Sequence, residues 1–178
     1  MLISKRSNKK GQEVFSMSFG MIFSIILIIV IIAVAFYAIR FFLNLNKCTD
    51  ASFFFDELQK EVDRAWSSGS YKSEYNGRLP SGTTKSQKIT QVCFGSLTLP
   101  NPTDSNTKSI KDYFSHSSYN KPKNNIFLYP PENSCGGKLA SYSLEHVAIP
   151  TFFCLNVDKD RVSIPLNKGT SDASVKVG

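Results

Sequence analysis

Between Glu13 and Arg40 the chain carries no charged side chain, and within that interval Ile22 to Ala35 (IFSIILIIVIIAVA) is almost wholly branched aliphatic. No other feature narrows the available folds as far. The twenty-six residues from Val14 to Ile39 make a helix of ~39 Å at ~1.5 Å per residue. A hydrocarbon core of ~30 Å needs only about 20 residues. A soluble core helix of this length shows polar positions at the helical period, and Ile25 to Ala35 shows none. The run therefore reads as a membrane span, with the lipid bilayer as its first partner.

Charge follows the same division. The formal net charge is +7, which as an average describes a basic protein seeking an acidic partner. Segment by segment, Lys5, Arg6, Lys9 and Lys10 precede the span, Arg40 and Lys47 follow it, and residues 48–178 hold 15 basic against 13 acidic side chains. So nearly balanced a head lacks the basic patch that nucleic-acid binding requires. The cationic bias before the span keeps the N-terminus cytoplasmic and exports residues 46–178 across the plasma membrane. The segments expected are a basic cytoplasmic tail (1–13), a transmembrane helix (14–43), a juxtamembrane linker (44–50) and an exported domain (51–178). Ala33-Val34-Ala35 offers an alternative, a secretory cleavage site, although bulky Phe36, Tyr37, Phe41 and Phe42 continue beyond it. Both readings export the rest of the chain.

All four cysteines, Cys48, Cys93, Cys135 and Cys154, lie beyond the span. An even number confined to the exported side reads as two disulfides in an oxidising compartment, with three connectivities open. No Cys-x-x-Cys pair is present and the histidines are His116 and His146 alone, so no metal site is expected.

The exported domain reads as α+β: one amphipathic helix packed on a mainly antiparallel, disulfide-linked sheet. From Thr49 to Ser67, Phe55, Leu58, Val62, Ala65 and Trp66 share a helical face, and Thr49 or Asp50 is placed to cap the start. Beyond Tyr71 the period changes to two. Asn76-Gly77 and Pro80-Ser81-Gly82 signal turns, Lys88 to Leu97 reads as a strand around Cys93, and residues 100–124 read as a long polar loop. Asn125 to Tyr129 and Leu139 to Ile149 read as further strands. The clearest hairpin joins Phe153–Val157 to Val162–Leu166 through Asp158-Lys159-Asp160, and Ala173, Val175 and Val177 form a last edge strand.

Chemistry is not written into this pattern. No Gly-x-Ser-x-Gly elbow accompanies a histidine, and Cys135-Gly136-Gly137-Lys138 lacks the upstream glycine and following hydroxyl of a phosphate loop, so it reads as a turn. Asp158, Asp160 and Asp172 do not have EF-hand spacing. No catalytic or cofactor-binding residue is expected, and the chain reads as a non-enzyme. A tethered enzyme would have to gather His146, Glu145 and a hydroxyl in one pocket.

Immediately before the span stands Lys9-Lys10-Gly11-Gln12-Glu13. This junction resembles the class III, prepilin-type signal of archaeal type IV pilin-like proteins. The resemblance covers residues 5–40. It implies cleavage on the cytoplasmic side between Gly11 and Gln12, retention of the apolar helix, and assembly with copies of the same chain or other surface proteins. That family commonly carries a glutamate at the fifth mature position. Here that position is Ser16, and the nearest acid is Glu13. The order of apolar helix, amphipathic helix and β-rich head also resembles a pilin. The functional expectation is thus an anchored structural or interaction protein, either a pilin-like surface subunit or an accessory module of an envelope complex that does not polymerise.

Overall fold

The structure, a computed structural model, describes residues 10–82 and 85–178, with side chains from residue 19 onward except at 44, 46, 47 and 85. The first nine residues of the expected tail lie outside it. Its contacts divide the chain into two units, Met1–Leu43 and Asn44–Gly178.

Helix α1 runs from Lys10 to Ser67 as one element of 58 residues. The expected linker at 44–50 is therefore helical, and the separate helix expected at 49–67 is the last part of α1. Asn44, Asn46, Thr49 and Asp50 are poor helix formers, but each costs only ~0.7 kcal/mol or less relative to alanine, and neither glycine nor proline interrupts the run. Tertiary burial of the following turns outweighs that deficit. Thr49 consequently caps nothing; its hydroxyl donates to the Leu45 carbonyl one turn back at 3.1 Å.

The strands form two four-stranded sheets instead of one. Sheet A has the order β1-β7-β8-β5, built from β1 (Tyr71–Arg78), β7 (Arg161–Lys168), β8 (Val175–Val177) and β5 (Val147–Ala148). Its β5–β8 pair is parallel and the rest antiparallel. Sheet B, antiparallel throughout, has the order β4-β3-β2-β6, from β4 (Ser141–Tyr142), β3 (Ile126–Tyr129), β2 (Gln91–Phe94) and β6 (Phe153–Asn156). The Ala173–Val177 segment supplies β8, which is not at an edge; it lies between β7 and β5.

Strand alternation assigns the two faces of sheet B. Val92, Phe94, Ile126 and Leu128 enter the main core, where Ala51, Phe54, Phe55, Leu58, Val62 and Ala65 of α1 meet Val162, Ile164, Leu166, Val175 and Val177 of sheet A. Cys93 and Phe127 point to the opposite face, into a second core completed by Phe152, Ala140 and the pair Ile110 and Phe114. Those last two belong to α2 (Ser105–Ser115), a helix where a long loop is expected. Its N-cap is Asp104, whose carboxylate accepts from Thr107 N at 2.7 Å, and that hydrogen bond holds the acid below the usual carboxylate range. A mere two apolar anchors, four residues apart, hold α2 to the sheet, too few to signal a helix beside so many polar residues.

The described strands change sheet four times along the chain, and two of these changes depart from expectation. At 157–161 the expected turn forms, with left-handed φ of 47° at Lys159 and 61° at Asp160, and Asp158 and Arg161 exchange backbone hydrogen bonds of 2.9 and 2.8 Å. The flanking strands then part, β6 pairing with β2 and β7 with β1 and β8. Residues 139–149 likewise form two short strands, β4 in sheet B and β5 in sheet A, joined through His146 at φ 61°. Asn76-Gly77 is no turn; it lies within β1, opposite Ser163 and Val162.

Candidate functional site

From Phe19 to Leu43 the side chains of α1 are exposed on every face; the large apolar ones range from 44% for Leu27 to 74% for Phe19 and Tyr37. This stretch is long and apolar enough to cross a membrane. Ser24 does not break the character, because its hydroxyl donates back to the Gly20 carbonyl at 2.9 Å. Gly11 and Gln12, the candidate cleavage pair, fall in the first turn of α1.

The cysteines resolve into Cys48–Cys135 and Cys93–Cys154. Cys93 and Cys154 face each other directly in the β2–β6 register. Cys48 joins α1 to the turn after β3, where Cys135, Gly136 and Gly137 all take left-handed φ of 55°, 59° and 88°. Gly137 also admits a close neighbour: a Cβ there would lie 2.4 Å from the Tyr119 hydroxyl.

At the C-terminal end of α1 the structure assembles a cluster that local sequence patterns do not reveal. The His146 ring stacks on Trp66 with centroids 3.9 Å apart and planes 9° apart, while His146 Nδ1 lies 3.1 Å from Asp63 Oδ1. Gln59 clamps the same segment, accepting from Glu145 N at 2.9 Å and donating to Asp63 Oδ1 at 2.8 Å. Trp66 Nε1 donates to the Ala173 carbonyl at 3.1 Å, and the Lys168 ammonium to the Trp66 carbonyl. The partners on α1 and those beyond it lie 80 to 107 residues apart in sequence, so only the fold brings them together. The arrangement fastens the β4–β5 crossing and β8 to the helix. His146 and Glu145 are neighbours as expected, but His146 is engaged in stacking and with Asp63, and Glu145 meets Gln59 through its backbone. His116 sits at the C-cap of α2 with Nδ1 2.8 Å from the Asp112 carbonyl.

Beside the helix, Tyr75 packs on Phe54 and faces Glu57; burial, then that carboxylate, pushes its phenol well above the usual range. Tyr71 donates to Glu61, and this bond raises it in the same direction. Two concavities stand out. An apolar groove of about 630 Å³ opens among Ile149, Pro150, Phe153 and Val177. A polar one of about 330 Å³ is lined by Ser118, Tyr119, Lys121, Gly136, Gly137, Lys138 and Ser141. Among the described residues no three His, Cys, Asp or Glu side chains are grouped to hold a metal ion. No protein-family model matches the chain, and neither does any curated protein or solved structure.

Proposed function

We propose that this chain is a single-pass, membrane-anchored protein with a structural or interaction role, its cross-linked head displayed outside the cell as a pilin-like surface subunit. The observation that carries the reading is the apolar surface of α1 between Phe19 and Leu43, exposed all round. A helix hydrophobic on every face needs an apolar surrounding, and a bilayer supplies it. Two disulfides in the head suit an oxidising compartment. The cations at Lys5, Arg6, Lys9 and Lys10 favour a cytoplasmic N-terminus. Tyr37 and its phenylalanine neighbours suit the far interface, where amphipathic rings gather. The pilin element draws support from the Lys9–Glu13 junction and from the order of apolar helix, amphipathic segment and β-rich head.

Ser16 favours a second reading, an anchored accessory module that does not polymerise, because the family's carboxylate is missing there. Extraction and protease protection test the shared core of both. The chain should resist alkaline extraction of membranes, and protease added outside intact cells should remove the head and spare the tail; release by alkali or the reverse protection refutes the anchor or its orientation. N-terminal sequencing should find Gln12 first, whereas a mature chain beginning at Met1 or Leu2 rules out prepilin-type processing. Immunogold on surface filaments, as against a membrane-bound monomer, separates the two readings.

A further inference from the structure

We propose that the outer edge of β1 is a docking surface for the same edge of a second copy of this chain, paired antiparallel about Asn76 so that Glu74 of each copy meets Arg78 of the other. Sheets A and B offer four edges. β4 and β5 are two residues long and β6 is four, whereas β1 has eight. Among the described residues no backbone hydrogen bond is made on its outer side. Leu79 N donates to the Asp160 carbonyl at 2.9 Å, one step beyond the Arg78–Arg161 pair. Alternation therefore turns the backbone groups of Tyr71, Ser73, Tyr75 and Gly77 toward β7 and those of Lys72, Glu74, Asn76 and Arg78 outward. Pro165 agrees with this: it stands opposite Glu74, and its carbonyl accepts from Gly178 N at 3.2 Å, on the side away from β1. An unpaired edge of this kind is a template for another strand.

Charge selects the partner. Lys72, Glu74, Asn76 and Arg78 are exposed and share one face of the strand, opposite the face whose tyrosines Tyr71 and Tyr75 meet α1. Arg78 faces Arg161 directly in the β1–β7 register, and like charges so placed repel. Neither arginine has an ion-pair partner among the described residues, and Glu74, which faces Pro165, has none either. Within one copy Glu74 and Arg78 are held ~13 Å apart by the rise of the strand. A second strand brings each its opposite.

Register decides whether the charges match. Antiparallel pairing about Tyr75 sets Lys72 against Arg78 twice, and pairing about Glu74 sets two carboxylates together. Pairing about Ser73 matches Lys72 with Glu74 but leaves Arg78 beyond the start of the other strand at Tyr71. Pairing about Asn76 matches both Glu74–Arg78 couples and places them, with the Asn76 pair between them, at positions that exchange two N–H···O bonds each. The contact is isologous, so it closes at two copies. The same charges that discourage indiscriminate pairing of an edge thereby admit one partner. Every residue involved lies within 44–178, so the pairing does not depend on the membrane-anchored reading.

Cysteine cross-linking of the full chain in micelles tests this. In Asn76→Cys the two new thiols face each other across the two-fold axis with Cα atoms ~5.5 Å apart, a span that a disulfide bridges. In Lys72→Cys they lie ~27 Å apart along the paired strands. Mild oxidation should therefore give a covalent dimer of Asn76→Cys, in several-fold higher yield than of Lys72→Cys. Adding Glu74→Arg to Asn76→Cys should lower the yield several-fold by setting arginine against Arg78. Adding Arg78→Glu as well should restore it, because each couple is then reversed. Equal yields from the two cysteine variants overturn the edge contact and leave the anchor standing. A dimer unmoved by Glu74→Arg, or one not restored by Arg78→Glu, overturns the Glu74–Arg78 couple on which the proposal rests.

Discussion

Replacing Gly77 by alanine isolates one packing constraint of the head. Gly77 is buried in β1 opposite Val162, and a Cβ built there would lie 2.5 and 2.8 Å from two Phe54 ring carbons and 2.8 Å from the Tyr75 ring. Phe54 is 1% exposed and held between Phe55 and Tyr75, with ring centroids at 5.4 and 6.4 Å, so it has nowhere to retreat. Removing a glycine from a strand gains ~0.5–1 kcal/mol of backbone entropy, whereas forcing an extra methyl into a packed core costs ~1–3 kcal/mol. The overlap wins, and the net loss is about 1 kcal/mol, or ~3–6 °C in Tm for a head of this size. Thermal unfolding of the full chain in micelles, followed by near-ultraviolet circular dichroism, reads it directly. Phe54→Leu should relieve the overlap, so the double variant should be less destabilised than the sum of the singles by ~0.5 kcal/mol or more. A Gly77→Ala protein as stable as the parent, or additive with Phe54→Leu, would refute the reasoning.

Non-reducing peptide mapping should recover Cys48 joined to Cys135 and Cys93 joined to Cys154; either alternative pairing contradicts the fold. Replacing Cys93 and Cys154 together by alanine should cost about 4 kcal/mol in the chain-entropy account, given their separation of 61 residues, and an unchanged midpoint in denaturant would refute that. Lys111 is 4% exposed and its ammonium donates to the Leu99 carbonyl and to Asn101 Oδ1, so Lys111→Met should destabilise by ~1–3 kcal/mol through stranded acceptors and speed hydrogen exchange around 99–104. The depressed folded pKa of Asp104, set first by the Thr107 backbone bond, means that its contribution is complete above the unfolded value of ~3.9 and is lost as pH falls toward the folded one. Asp104→Asn keeps a cap but cannot titrate, so the acid-side slope of stability should flatten; an identical slope would exclude Asp104 as its source.

How far the sequence revealed this structure depended on how local each signal was. The apolar run, the strands at Gln91–Phe94 and Ile126–Tyr129 and the turn at 158–160 were legible because a few adjacent residues carry them. Gly77 misled, since Asn-Gly resembles a hairpin turn, yet here glycine makes room for the Phe54 ring across the core. The period-two runs at 139–149 and 153–166 marked extended chain but not that each changes sheet midway, because alternation assigns a face and not a neighbour. α2 was hidden for a related reason: its face meets the back of a sheet already covered on the front, so two anchors suffice. The cluster of Trp66, His146, Asp63 and Gln59, and the concavity at Lys121 and Lys138, join residues from distant parts of the chain.

The last turns of α1 are part of the main core. Residues 51 to 65 contribute six buried side chains, from Ala51 to Ala65, to the main core, and burying each of the larger ones is worth roughly 1.5–3 kcal/mol. On the proposed membrane-anchored reading, pulling on the N-terminal end of α1 would have to extract Phe54, Phe55, Leu58 and Val62 before α1 left the core. The Cys48–Cys135 bridge stands ahead of those residues on the chain, so it bears that load first, while Cys93–Cys154 joins strands within sheet B. The two disulfides thus fasten different parts of the head: one ties α1 to the turn after β3, and the other ties β2 to β6 within sheet B. Reducing the first should weaken retention of the head under force more than reducing the second, although their closed separations of 87 and 61 residues give nearly equal entropic terms.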